Sequence, residues 1–444
     1  MKRKLYQELV LWKKDKKRKP LLLQGARQVG KTYLINEFAK NEYENYIYLN
    51  FEQNTELTSL FSENLNPKHI VQNIGLYFGY RVDAIDTLIF FDEIQISPRA
   101  LTSLKYFQEQ APEFHIIAAG SLLGVSVGKN NSFPVGKVNF KTLYPMSFEE
   151  YLSAYNETVL VQYLKTKKDF TPLTEIIHQK LHTHLKMYLY LGGMPEVLQN
   201  YLDEKDITAA RKIQNEILEA YTRDFSKYTD KTQSIKTAEL WQSIPYQLAK
   251  ENKKFKYSEI RKRARASTFE LTIEWLKNAG LIHLTYNISV PKLPLSGYAN
   301  GSKFKIYLLD TGLLGAMLNL SSEVIIKANN LFSEYNGAFI ENFVANELKS
   351  SGEKNLFYWS SKSDAEVDYI LSLHDNIYPI EVKSGMNRNI KSLRSYAQKY
   401  NPKLICRISP RNFYHEKNFM NLPLYATFIL KQLIKEEEGN IQEL

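Results

Sequence analysis

The string Gly25-Ala26-Arg27-Gln28-Val29-Gly30-Lys31-Thr32 constrains this chain more than any other feature. It has the spacing G-x-x-x-x-G-K-[ST], follows the apolar run Leu21 to Leu23, and precedes a helix-compatible segment, Tyr33 to Ala39. Glycines at these positions let backbone N–H groups curl around phosphates, and the following helix presents an N-terminus of roughly +0.5 charge to them. Lys31 is expected to reach the β and γ phosphates and the Thr32 hydroxyl to ligate Mg2+.

The rest of the first 150 residues supports that reading. Short apolar runs, Tyr46 to Phe51, Leu88 to Phe91, His115 to Ala119 and Val138 to Leu143, alternate with longer mixed segments, the rhythm of a parallel sheet with crossover helices. Leu88-Ile89-Phe90-Phe91 does not alternate, so it should be an inner strand covered on both faces. It ends in Asp92-Glu93, two carboxylates at the C-terminal edge of a strand, where ligands bind in open α/β sheets. Asp92 would hold the magnesium through water, and Glu93 would polarise the attacking water as general base. The strand Ile116 to Ala119 stops at Gly120-Ser121, where the Ser121 hydroxyl is a candidate to sense the γ phosphate, with a helix cap as the plain alternative. Arg99 and Arg223 are the candidates for an arginine finger, with a surface role as the plain alternative.

Composition limits the remaining classes. At 444 residues the chain has room for about three domains. With 44% hydrophobic and 24% charged residues it is neither disordered nor fibrous. The single cysteine, Cys406, cannot close an internal disulfide, which fits a reducing, cytoplasmic setting. No apolar run approaches a spanning helix, and the basic start has too brief an apolar stretch for a signal peptide. Lys plus Arg exceed Asp plus Glu, 58 against 48, an excess that favours polyanionic partners such as DNA or other nucleic acid.

Beyond Ser147 the pattern turns helical as far as about Tyr228. Near Tyr257 a further unit begins. Ser258 caps a short helix, and Ser267-Thr268-Phe269-Glu270 reads as a capping box starting a second helix that ends at Ala279-Gly280. Strands at Leu281 to Ile288 and Lys303 to Leu309 follow, and helix, turn, helix, two strands is the order of a winged helix. Lys253 to Arg265 is basic, but Glu270 and Glu274 on the second helix would repel phosphates, so nucleic-acid contact and protein docking both stay open. The last unit opens with a helix, Gly337 to Leu348. Strand-like runs at Ala365 to Leu371 and Tyr378 to Val382 then pair as a hairpin, and the tail after Lys435 reads as a frayed end. His178, His182 and His184 read as ordinary helix-face histidines, and Gly192-Gly193 as a helix break.

GARQVGKT, FFDEIQ, AAGSLLG, FPVGKV, LYPMSFEEYL and GGMPEV together resemble a family of prokaryotic AAA-type ATPases in which an N-terminal ATPase is fused to an uncharacterised C-terminal domain. The resemblance implies a P-loop NTPase core of the AAA/ASCE kind, with Walker A at Gly25 to Thr32 and Walker B at Asp92-Glu93. It also implies an extra strand between those bearing the two motifs, for which Tyr46 to Phe51 is the candidate. Glu341, Asp368, Glu381 and Lys383 look like the PD-(D/E)XK nuclease fold, which implies a second metal site held by the acidic residues, with the lysine activating water.

The expectation is therefore an α/β chain with four parts: an ATPase core over 1–150, a helical lid over 151–235, a winged helix over 236–330, and a restriction-endonuclease-like α/β domain over 331–444. ATP and Mg2+ are the expected cofactors, and hydrolysis is expected to reposition the C-terminal modules. Two rivals use the same residues, an ATP-gated nuclease and a slow nucleotide-dependent switch that recruits a protein partner. Nothing in the sequence distinguishes a monomer from a ring.

Overall fold

Apolar runs without alternation become the inner strands of a parallel sheet in the computed structural model, which describes residues 1–120, 136–228, 230–250, 254–321, 336–361, 365–386 and 389–442. The chain divides into two compact units, Met1–Tyr144 with Asn278–Leu281, and Pro145–Lys277 with Ile282–Leu444.

In the first unit β1 (Leu21–Gln24), β2 (Asn45–Asn50), β3 (Thr87–Asp92), β4 (His115–Ala119) and β5 (Asn139–Thr142) lie in the order β2-β3-β4-β1-β5. Every neighbouring pair is parallel. β3 and β4 are buried at every position, as strands between two helical layers must be. Helices Lys31–Glu42, Pro67–Phe78 and Pro98–Gln110 carry the chain back between strands. Their ends obey local chemistry. Asn66 accepts from the Lys68 and His69 amides with Pro67 in the first turn, and Ser97 accepts from Ala100 N with Pro98 behind it.

The sheet order corrects one expectation. The strand between β1 and β3 is β4, and Asn45–Asn50 lies at the outer edge against β3. Burial alternates along β2, the pattern of a strand with one wet face, whereas His115–Ala119 is dry throughout. The middle position goes to the segment that can be buried on both faces.

The second unit begins with helices Phe148–Ala154, Thr158–Thr166, Glu175–Leu191, Pro195–Glu204, Ile207–Tyr228 and Lys231–Leu248, as the Leu, Lys, Glu and Gln content of this stretch predicts. Ser147 and Glu150 form a reciprocal capping box at the first of them. The box expected at Ser267 does not form, because the helix there, Ala266–Asn278, has already begun. The segment around Ser258 is a single 3-10 turn, Tyr257–Glu259.

β6 (Ile282–Ile288) and β7 (Ala299–Leu308) pair antiparallel and join β8 (Leu356–Ser360) and β9 (Glu366–Val367) in a four-stranded sheet ordered β7-β6-β8-β9. A second sheet contains β10 (Tyr369–Leu373), β11 (Asn376–Val382), β12 (Ile405–Ser409), β13 (Tyr414–Glu416) and β14 (Phe419–Pro423), ordered β10-β11-β12-β14-β13. β10 and β11 form the expected hairpin, and β12 and β14 continue the sheet in parallel with β11. Helices Thr311–Met317, Asn336–Ser350, Lys391–Tyr400 and Leu430–Gln442 are further helices among the described residues of the unit. The last of these corrects the frayed tail, since Glu438 accepts hydrogen bonds from Asn376 and Tyr378.

The helix break at Gly192-Gly193 has a packing reason. A Cβ on Gly192 would overlap the Asp310 carboxylate, and one on Gly193 would overlap the Met146 backbone. Asp310 caps helix Thr311–Met317 through Leu313 N at 2.9 Å and accepts from Gly193 N at 2.5 Å. Asp310→Ala leaves two buried amides unsatisfied, so a loss of roughly 2–5 kcal/mol in chemical unfolding is expected. Burial pushes this carboxyl up to about 6 from its ordinary 3.8, against the Gly193, Leu313 and Gly312 amides that lower it. The folded chain therefore holds the proton more tightly than the unfolded one, and this contribution to stability is full at low pH and is lost as pH rises through about 6. Asp310→Asn cannot titrate, so the stability of the native chain relative to this variant should fall between about pH 4 and pH 7. A flat difference contradicts the assignment.

Candidate active site

The phosphate loop runs from the end of β1 into helix Lys31–Glu42 and needs glycine at its first position. Gly25 has φ 149°, and a Cβ there would run into the Leu143 carbonyl at the end of β5. Gln28 (φ 64°) and Gly30 (φ 90°) take left-handed conformations that turn the loop over the helix start. Arg3 clamps it from behind, donating to Val29 O at 2.8 Å and Tyr144 O at 2.5 Å. Arg27 lies 3.8 Å from Glu52, and Ala26 and Val29 are buried.

Lys31 stands inside the curl. Its ammonium donates to Ala26 O at 2.8 Å and Gly25 O at 3.0 Å. Burial lowers its pKa to about 8, opposed by the charges of Glu93 and Asp92. The Thr32 hydroxyl donates to Asp92 Oδ2 at 2.8 Å across 60 residues of sequence. Burial raises the Asp92 carboxyl, while hydrogen bonds from Thr32 and Tyr48 pull the other way. A hydroxyl and a carboxylate side by side at the head of the loop are the hard oxygen donors that magnesium takes, so the residues fit Mg2+ beside a nucleotide triphosphate.

Glu93 follows at φ 50°, a left-handed conformation rare outside glycine, asparagine and aspartate. Its amide donates to Asp92 Oδ1 at 3.1 Å, and its Oε2 accepts from Gln95 Nε2 at 2.5 Å. The kink turns the carboxylate out of the strand's alternation at the sheet's C-terminal edge. Sequence reasoning missed Tyr48, whose hydroxyl donates to Asp92 Oδ2 at 2.9 Å and accepts from Asn50 Nδ2 at 2.8 Å. The available signal was β2's alternation, which puts Tyr48 and Asn50 on one face of the strand beside β3.

Ser121 lies outside the described residues. Arg99 donates to Phe61 O at 2.5 Å, a structural contact, and Arg223 is exposed and 3.4 Å from Glu219 one helical turn away. His178 meets Tyr425 OH at 2.7 Å and His182 meets Pro410 O at 2.7 Å, as ordinary packing histidines do.

The second unit brings Glu341 and Asp368 together, with Glu366, around a lysine that sequence reasoning overlooked. Lys305 on β7 is almost fully buried, with its ammonium 2.7 Å from Glu366, 3.4 Å from Glu341 and 3.7 Å from Asp368. Burial alone would lower its pKa, but the three carboxylates outweigh that and raise it well above the usual value. Glu341 Oε2 also accepts from Tyr307 OH at 2.8 Å, and Asp368 Oδ2 from Val382 N at 2.8 Å. Glu381 faces Lys383 at 2.5 Å, as period-two geometry predicts, with Lys383 one residue past the end of β11. Among the described residues no group of three or more His, Cys, Asp or Glu side chains is placed to hold a metal ion. The residues of the expected second metal set each face a charge partner, Glu341 and Asp368 at Lys305 and Glu381 at Lys383. No described helix is long and apolar enough to cross a membrane.

Comparison with known proteins agrees with the first unit's geometry. Residues 17–152 match the family described as AAA domain, a match that supports an AAA-type ATPase fold for this stretch. Residues 182–324 and 336–438 match two domains of unknown function, DUF8612 and DUF4143. Two uncharacterized proteins, from Mycobacterium tuberculosis and Mycobacterium bovis, are each 34% identical over 93 residues, which is 20% of this chain. That match spans only 20% of the length of these curated relatives. Among solved structures, a Walker-type ATPase of Pyrococcus abyssi is 14% identical with TM-score 0.44, covering 70% of this chain and 94% of its own. The ORC1 protein of Aeropyrum pernix, solved in complex with DNA, is 11% identical with TM-score 0.30, covering 71% and 90%. At such scores the fold rests on the sheet order, the phosphate loop and the domain match.

Proposed function

We propose that the first unit binds Mg-ATP and hydrolyses it to ADP and phosphate. The observation that carries this reading is the bond between Thr32 and Asp92, which joins the first turn of helix Lys31–Glu42 to the end of β3 beside the loop. The loop amides and the Lys31 ammonium bind the β and γ phosphate oxygens. Thr32, and Asp92 through water, would hold a magnesium ion, which would neutralise charge on the phosphates. Glu93 orients a water toward the γ phosphorus and accepts its proton, with Gln95 Nε2 fixing the carboxylate. Tyr48 keeps Asp92 turned toward Thr32. The cycle is then available to rearrange the second unit.

A second reading, contact with nucleic acid, is favoured by one feature of the second unit. Lys254, Lys303 and Lys399, with Phe255 and the Ser302 and Ser360 hydroxyls, line a cavity of about 730 Å³. Cations beside an aromatic ring and hydroxyls suit a phosphate backbone and its bases.

One assay tests both readings. Phosphate release from ATP by the full chain should require Mg2+ and stop with EDTA, and single-stranded or duplex DNA should raise the rate. The rise should disappear in Lys303→Glu with Lys399→Glu, while the basal rate remains. No release under any condition overturns the hydrolase reading, and a rate indifferent to DNA at low salt overturns the second.

A further inference from the structure

The resemblance to a metal-dependent nuclease implies a divalent cation among Glu341, Asp368 and Glu381, and the arrangement of these residues disagrees with it. A divalent ion needs several carboxylate oxygens converging on one point, with water completing its shell. Here the point where carboxylates converge holds a side chain. The Lys305 ammonium lies 2.7 Å from Glu366 Oε1, 3.4 Å from Glu341 Oε2 and 3.7 Å from Asp368 Oδ1, and the side chain is 1% exposed.

We propose that Lys305 is the resident cation of the C-terminal module, taking the place of a divalent metal among Glu341, Glu366 and Asp368, so that the module holds no such metal and cleaves no phosphodiester through one. The neighbours reinforce the ammonium. Tyr307 donates to the same Glu341 oxygen at 2.8 Å, Tyr369 donates to the Glu341 backbone carbonyl at 2.7 Å, and the ammonium lies 5.1 Å from the Tyr358 ring centroid. Glu366 reaches a second ammonium, Lys254, at 3.6 Å through its other oxygen. Asp368 Oδ2 is taken by Val382 N at 2.8 Å. Glu381 Oε2 is buried without a hydrogen-bond partner, but Oε1 of the same carboxylate is 2.5 Å from Lys383 Nζ. A divalent ion entering here would meet a buried ammonium at contact range. The tether also has a direction in sequence. Lys305 belongs to β7, before the segment 336–438, so the earlier stretch supplies the charge that the later carboxylates need.

Manganese binding to the nucleotide-free full chain, counted by electron paramagnetic resonance, tests this. The native protein and Asp368→Asn should bind the same amount. Lys305→Met, which keeps an unbranched side chain one atom shorter and removes its charge, should gain about one Mn2+ per chain, and adding Asp368→Asn should remove that gain. Melting curves show whether Lys305→Met is folded, and if it is not, the comparison of native chain with Asp368→Asn decides alone. Three results overturn the proposal: manganese on the native chain that Asp368→Asn removes, a folded Lys305→Met chain with no added manganese, or metal-dependent cleavage of supercoiled plasmid that Glu381→Gln abolishes.

Discussion

Lys31→Ala is expected to weaken ATP binding to the full chain by at least about 100-fold in calorimetric titration. The side chain supplies a nearly buried ammonium at the head of the loop, and two charge-assisted bonds to phosphate at roughly 1.5–3 kcal/mol each account for such a loss. The pH dependence gives an independent reading. Because burial holds the ammonium down to about 8, the native chain should lose ATP affinity above that pH, by about tenfold per unit, as the charge the phosphates need is titrated away. Phosphate binding favours the protonated lysine, so the complex takes up a proton over the same range. Lys31→Ala should lack that slope. Equal affinity for variant and native chain at neutral pH would remove this loop as the nucleotide site.

Glu93→Gln should bind ATP within about twofold of the native chain and turn it over roughly 10²–10⁴ times more slowly, the range for loss of a general base. The amide keeps the size of the carboxylate and can still meet Gln95, so the left-handed kink and the hydrogen bond from the Glu93 amide to Asp92 need not change. Asp92→Asn is the contrasting variant. Asp92 Oδ2 receives both the Thr32 and Tyr48 hydroxyls, and removing its charge should raise the magnesium concentration needed for half-maximal release. Single-turnover measurements separate the two effects. A Glu93→Gln chain with native turnover would return Glu93 to a structural role at the end of β3.

The same geometry shows why some residues were legible in advance and others were not. The phosphate loop reads directly because its glycines answer to backbone torsion, a property of each residue type: Gly25 at φ 149° against a carbonyl tolerates no side chain. Asp92 reads directly because an unbroken apolar run must end at a sheet edge. Tyr48 was harder, since nothing in β2 by itself says which strand it will lie beside. The Ser267 capping box failed for a related reason. A reciprocal Ser and Glu pattern marks a helix start only where the preceding residue leaves the helix, and here Ala266 has already joined it.

What the amino-acid order alone determined was local: the curl of residues 25–32, the dry strands β3 and β4, the helical stretch from Phe148 to Tyr228, and the hairpin of β10 with β11. Each depends on torsional preference or on the periodicity of apolar residues over a few turns. Only the tertiary structure decided the strand order, the pairing of Asp310 with Gly193, and the arrival of Lys305 among three carboxylates. Those outcomes depend on which distant segments share a desolvated space. A buried charge is tolerable only beside its counter-charge, and no local pattern in the chain states where that counter-charge will be.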